Sequence, residues 1–163
     1  MTKFQIYDII LLEKRKEIKF IKIYLASPFF NKEEITIYRQ VIGRLRANEE
    51  NVVYVPQEHE IPNAWDLPHR VWANAVYEAD IEAIQNSDVV MVLNFGMYSD
   101  SGTAWEAGYA LGLGKIVVQV LCGDENTTYS LMMFNGAHKV INLSDVECWD
   151  KVTSVNEDKV IQK

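Results

Sequence analysis

Asp88-Val89-Val90-Met91-Val92-Leu93-Asn94 is a short apolar run rich in β-branched residues, and a brief turn separates it from Asp100-Ser101-Gly102-Thr103-Ala104-Trp105-Glu106-Ala107-Gly108-Tyr109. An apolar run without alternation has the composition of a strand buried on both faces, the usual condition inside a parallel sheet. The second stretch reads as a helix beginning near Thr103. A carboxylate near the start of such a helix, just past the carboxyl end of a parallel strand, stands where open α/β sheets place their ligands. Glu106 is therefore the first candidate for a catalytic residue, and as such it is expected to be largely solvent-accessible in an empty site.

Thr103-x-x-Glu106 also fits a capping box, in which the glutamate folds back onto the N-cap amide. Two features go beyond capping. Gly102, Ala104, Ala107, Gly108, Ala110 and Gly112 leave little side chain on this helix, which calls for close approach of another backbone or a ligand. Asp100 adds a second carboxylate at the helix N-terminus, where the dipole stabilises an anion by roughly 0.3–1 kcal/mol.

Outward from this unit, strand composition recurs at residues 18–26, 52–55, 115–121 and 140–143. The first strand stops at Ser27-Pro28 and the second at Pro56. Between them Asn31-x-x-Glu34 opens a helix with Ile35, Tyr38, Val41, Ile42 and Leu45 at helical spacing. A long loop, residues 57–69, carries Trp65 and Asp66 and is more plausible as a functional segment than as a connector. A helix over residues 68–85 follows, with Trp72, Val76, Ala79, Ala83 and Ile84 along one side. Asp80 falls on or beside that stripe, where an acid is costly unless paired or used; a carboxylate at a stripe edge is equally consistent with simple solvation. Gly114 suits a helix C-cap, residues 130–137 a short helical or irregular piece, and the tail after Ser144 a frayed helix.

Strands alternating with helices predict a single-domain, flavodoxin-like (Rossmann-like) α/β fold. Its five-stranded parallel sheet has the order 2-1-3-4-5, with helices on both faces. In that order the first and third strands are neighbours whose crossovers leave on opposite faces, so their carboxyl-end loops open a crevice shared by Tyr24, Ser27, Asp100 and Glu106. Residues 18–163 form the catalytic domain, and residues 1–17 an extension, its apolar part interrupted by Asp8, that suits neither a signal peptide nor a membrane span.

The chain of 163 residues is long enough for one core without staples. Its hydrophobic fraction of 48% is that of an ordinary globular protein. The net charge of -7 disfavours a nucleic-acid polymer as partner. Cys122 and Cys148 have no metal-ligand spacing and imply no disulfide framework, which fits a cytoplasmic protein. His59, His69 and His138 lack zinc-site spacing, and neither a P-loop nor a Gly-x-Ser-x-Gly elbow occurs. The Gly108 to Gly114 run precedes a strand instead of opening a helix, so it is no dinucleotide fingerprint. No metal and no cofactor are expected. What remains is a carboxylate and tyrosine site, which suits glycosyl transfer.

Three separated stretches resemble the nucleoside 2-deoxyribosyltransferase family: Lys22-Ile23-Tyr24-Leu25-Ala26-Ser27-Pro28-Phe29, Val71-Trp72 through Tyr77-x-x-Asp80, and Asp100 through Gly108. The resemblance implies that Glu106 is the nucleophile forming a covalent 2-deoxyribosyl-enzyme. It makes Asp80 the acid that binds and protonates the base, Asp100 the residue that binds the sugar hydroxyls, and Tyr24 the tyrosine that positions the nucleophile. Ser27, Phe29, Trp72, Gly102, Ser130 and Met132 become candidate substrate-binding residues. In this scheme the helix dipole keeps Glu106 charged, and an apolar setting keeps Asp80 protonated.

Two departures from the family pattern bear on the substrate. Ser130-Leu131-Met132 stands where the transferases usually place an asparagine, contributed across a subunit interface, before Leu-Met. Serine there resembles the related deoxynucleoside monophosphate N-glycosidases, yet those have serine where this chain has Asp100, and a carboxylate repels a phosphate. The chain also ends Val160-Ile161-Gln162-Lys163, where many transferases end in a site-reaching tyrosine.

The expected partners are a deoxynucleoside and a free nucleobase, in a homo-oligomer whose sites lie near subunit interfaces, with Met132, Met133 and Phe134 as an apolar contact. The leading expectation is transfer of 2-deoxyribose between bases. The alternatives are an N-glycosidase acting on a deoxynucleoside or its monophosphate, and a binding module that holds a nucleoside without turning it over.

Overall fold

The computed structural model describes residues 20–155; the proposed extension at residues 1–17 and the C-terminal residues 156–163 lie outside the described residues. Five strands, β1 (Ile21–Ala26), β2 (Asn51–Tyr54), β3 (Val89–Asn94), β4 (Ile116–Leu121) and β5 (Lys139–Asn142), form one sheet in the order β2-β1-β3-β4-β5. Every neighbouring pair is parallel. The order and the strand positions agree with the expectation from sequence. Among the described residues four α-helices connect or follow the strands: α1 (Lys32–Arg46), α2 (His69–Asn86), α3 (Ser101–Gly112) and α4 (Leu131–Gly136).

The apolar runs divide between two layers with the period of two that a strand imposes. Ile23 and Leu25 of β1, with Val89, Met91 and Leu93 of β3, pack on Tyr38, Val41 and Leu45 of α1. Tyr24 and Ala26, with Val90 and Val92, face Ile84 of α2, Ala107 and Ala110 of α3, and Phe134 of α4. β3 is buried along its whole length, which is why its sequence shows no alternation. The crossover after β1 covers one face and the crossover after β3 the other, so the chain switches sides between these two strands.

Several local expectations are corrected. α3 starts at Ser101, and its N-cap is Asp100, whose Oδ2 accepts hydrogen bonds from the backbone N of Thr103 at 2.8 Å and the Thr103 hydroxyl at 3.2 Å. Thr103 and Glu106 therefore form no capping box; Asn31 and Glu34 do, at the start of α1. The small residues of α3 are not all explained by close approach, because a Cβ at Gly108 or Gly112 would meet nothing within 4 Å. Where the sequence predicts a frayed helix after Ser144, the described part of the tail starts in a 3-10 helix, Leu143–Cys148, which buries Val146 and is followed by buried Trp149. Arg44 of α1 holds it through Glu147 and the carbonyls of Leu143 and Ser144. Phe134 lies in the core, so it is unavailable as a subunit contact, whereas Met132 is exposed.

Candidate active site

The switch between β1 and β3 brings together side chains that are far apart in the chain. Tyr24, near the end of β1, points to the α2/α3 side of the sheet because its neighbours Ile23 and Leu25 point to the other. Its hydroxyl donates a hydrogen bond of 2.8 Å to Oε1 of Glu106, across 82 residues of sequence. Burial is the main cause that raises the Tyr24 phenol far above its ordinary range, and the charges of Glu106 and Asp80 push in the same direction. Tyr24 is therefore a fixed donor, never an anion.

Glu106 is partly buried instead of largely exposed, which corrects the expectation from sequence. Desolvation raises its carboxyl from 4.5 to about 7; the Tyr24 hydrogen bond opposes the rise, and the charges of Asp80 and Asp100 add to it. The dipole of α3 does not decide its state, because Glu106 stands in the second turn from the Asp100 cap and the dipole effect fades within the first turn. Asp80, half-buried on α2, is also raised above its ordinary value, again mainly by desolvation; Tyr24 and the nearby His59 act against the rise. Tyr24 thus acts on both carboxyl groups, and the charge of Asp80 discourages Glu106 from ionising.

Asp80 forms one wall of a cleft of about 560 Å³ that also takes in Phe29, Trp72, Val76 and the loop from Pro56 to Trp65. Neither Glu106 nor Tyr24 is among its lining residues; Glu106 is linked to the Asp80 wall by the charge of Asp80 and by Tyr24, which acts on both carboxyls. Phe29 and Trp72, both named from sequence, are in place as its apolar sides. Asp100 sits at the start of α3, close enough for its charge to act on Glu106. Gly102 serves Asp100, since a Cβ there would come within 2.9 Å of the Asp100 carboxylate oxygen. Ser27 is buried, with its hydroxyl donating to the Pro28 carbonyl at 2.8 Å.

Ser130 and Met132 are not brought to this cleft. They line a different groove of about 580 Å³, between α3 and α4, together with Ala104, Ala107 and Gly108.

Two residues went unrecognised in the sequence. Tyr54 stacks on Tyr24 with ring centroids 5.6 Å apart, and His59 stacks on Tyr54 at 4.0 Å with an interplanar angle of 2°. Tyr54 stands opposite Tyr24 in the parallel register, at the carboxyl end of β2. A signal for it was available, since a strand-end aromatic next to β1 must face the crevice. His59 gave none: it reaches the cleft only because a 3-10 turn, Pro56–Glu58, folds the chain back after β2. Arg46 fixes that turn by a two-pronged pairing with Glu58, at 2.8 and 2.6 Å.

The sequence model of the nucleoside 2-deoxyribosyltransferase family matches residues 23–147, from within β1 through β5, and takes in every residue of this site. The chain belongs to that family. The nucleoside deoxyribosyltransferase of Lactobacillus leichmannii is 26% identical over 136 residues, covering 77% of this chain and 86% of that protein. The Lactobacillus johnsonii nucleoside deoxyribosyltransferase is 29% identical over 136 residues, covering 76% and 90%. Among solved structures, the 2-deoxyribosyltransferase of Bacillus psychrosaccharolyticus superposes with a TM-score of 0.71 at 29% identity, over 83% of this chain and 99% of that one. The 2-deoxyribosyltransferase family thus shares both the sequence pattern and the flavodoxin-like sheet seen here. Among the described residues no helix is long and apolar enough to cross a membrane, and no cluster of three or more His, Cys, Asp or Glu is arranged to hold a metal ion.

Proposed function

We propose that the protein transfers 2-deoxyribose from a 2'-deoxynucleoside to another nucleobase through a covalent intermediate on Glu106. The observation that carries this reading is the 2.8 Å hydrogen bond from Tyr24 to Glu106 beside Asp80. One carboxyl group held in position and a second pushed toward its neutral form by burial suit the two functions that glycosyl transfer requires, a nucleophile and a proton donor. The Glu106 carboxylate attacks C1′ of the sugar, the C1′–N bond breaks, and its electron pair leaves with the base as Asp80 delivers a proton to it. A nitrogen of the second base then attacks C1′ from the vacated side, the C1′–O bond to Glu106 breaks, and the second base returns its proton to Asp80. Two displacements give retention at C1′.

The two carboxyls are set for these roles by occupancy of the cleft. A nucleobase against Asp80 removes water from it and favours its neutral form. A neutral Asp80 no longer repels charge on Glu106, which then ionises with Tyr24 as its donor. Phe29 and Trp72 offer faces for the base, and Asp100 accepts from the sugar hydroxyls, while its charge disfavours a 5'-phosphate nearby. The proposal includes a homo-oligomer in which partly buried Ser130 and exposed Met132, in their own groove, face the site of a neighbouring copy.

The test is chromatography of purified protein with deoxyinosine and free adenine or cytosine, beside a sample without acceptor. A new deoxynucleoside is the expected product. Hypoxanthine alone would make water the acceptor and the protein an N-glycosidase, and no base release from either deoxynucleosides or their monophosphates would leave a binding protein.

A further inference from the structure

The cleft does not end at the base-sized space beside Asp80. A second pocket of about 310 Å³ opens next to it, lined by Ala64, Trp65, Leu67, His69 and Trp72. Ala64, Trp65 and Trp72 line both spaces, so the two indoles form a shared wall. Trp65 stands fully exposed on the 3-10 turn Ala64–Asp66, which follows Asn63 in the left-handed conformation at φ 57. The turn is closed by hydrogen bonds from Ala64 N to Ile61 O at 3.1 Å and from Asp66 N to Asn63 O at 2.9 Å. A defined turn thus presents a large apolar surface to water at the rim of a reactive cleft, which marks a contact surface for an apolar group.

The distance along α2 sets what that group is. From Asp80 to Trp72 is eight residues, a rise of about 12 Å. A nucleobase between Asp80 and Trp72 ends at the wall that the two spaces share, and a substituent of about four to six heavy atoms extends past it toward Leu67 and His69 at ordinary bond lengths. His69 is the one ionisable side chain in the lining, no carboxylate is there to pair a cation, and the Ala, Leu and Trp surface favours an uncharged substituent.

We propose that this pocket receives an apolar substituent on the nucleobase, on the edge remote from the sugar, and that 2'-deoxynucleosides bearing a branched or aromatic substituent there are preferred substrates. The proposal rests on the glycosyl-transfer reading above. Binding of the substituent is the same in ground and transition state, so the preference enters KM and leaves kcat unchanged.

The test compares deoxyadenosine with its analogue benzylated on the exocyclic amine, and deoxyuridine with its 5-isobutyl analogue, in the wild type and in Leu67→Asp. Leu67 lines only the second pocket. In at least one series the substituted substrate should gain about tenfold in kcat/KM. Leu67→Asp should erase the gain with little change on the unsubstituted substrate, and Leu67→Ser should reduce it if the aspartate variant fails to fold. Turnover of the unsubstituted substrates without any gain would overturn the pocket assignment and leave glycosyl transfer standing, as would a gain that neither variant alters. Absence of base release from all four compounds would overturn glycosyl transfer, and the proposal with it.

Discussion

Replacing Tyr24 with phenylalanine isolates the contribution of one hydrogen bond to the state of Glu106. The ring and its stacking on Tyr54 remain; only the hydroxyl that donates to Glu106 Oε1 at 2.8 Å is lost. That bond opposes the effect of burial, which raises the Glu106 carboxyl to about 7. A hydrogen bond to a charged group is worth about 1.5–3 kcal/mol, and one pH unit corresponds to about 1.36 kcal/mol, so Glu106 in Tyr24→Phe should titrate about one to two units higher. At pH 7 the ionised fraction falls from about one half to between about one tenth and one hundredth, a loss of about 5- to 50-fold in kcat/KM. The check is the pH profile of kcat/KM for base release in both proteins: the acidic limb should move to higher pH, and the variant should recover toward the wild-type rate near pH 9. A limb that stays in place, with the rate lowered equally at every pH, would show that Tyr24 orients the site without controlling the charge of Glu106. A variant with undiminished rate at pH 7 would refute the reasoning altogether.

Two further predictions come from the same pair of carboxyls. The folded-state value for Glu106, about 7, lies above its ordinary 4.5, so the folded protein keeps a proton that the unfolded chain releases; stability therefore falls as pH rises from about 4.5 to about 7 and stays lower above it. Glu106→Gln should abolish turnover yet be more stable than wild type by about 1–3 kcal/mol at pH 8 and nearly equal to it at pH 4.5, as measured by urea unfolding. Asp80→Asn should slow release of a base that needs protonation by about 100- to 1,000-fold and slow release of a base that leaves as a stable anion much less. An Asp80→Asn protein with normal rates for both and only a lower Tm would place Asp80 among structural residues.

What the sequence disclosed and what it concealed follow a physical division. The strand order was legible because β3 is apolar at successive positions, which only a strand covered on both faces tolerates, and because each strand is separated from the next by helix-spaced residues. That order by itself placed Tyr24 near Glu106. The start of α3 was misplaced by two residues because Asp100-Ser101-Gly102-Thr103 and Thr103-Ala104-Trp105-Glu106 both have the spacing of a cap. Gly102 decides between them: lacking a Cβ, it leaves room for the Asp100 carboxylate to turn back onto the helix. Within α4 the run Met132-Met133-Phe134 is uniformly apolar, yet neighbouring helical positions lie about 100° apart, and the turn that exposes Met132 carries Phe134 into the core.

The protonation of Glu106 was concealed for a different reason. Position in a helix is a local property, and from position alone the dipole argues for an anion. Desolvation is set by what covers the group, here β1 on one side and α2 on the other, contributed by segments about 80 and 25 residues away. It outweighs the dipole because a buried carboxyl loses more hydration than a partial helix charge, one turn removed, restores. The same burial is what makes the pair useful: were Glu106 fully hydrated it would be ionised with or without substrate, and filling the cleft would change nothing. With a value near 7 for Glu106 and Asp80 also raised by burial, the proposed arrival of a base would change the charge of both groups together. On the proposed mechanism, filling the cleft raises the ionised share of Glu106 above the half that the empty site holds at pH 7.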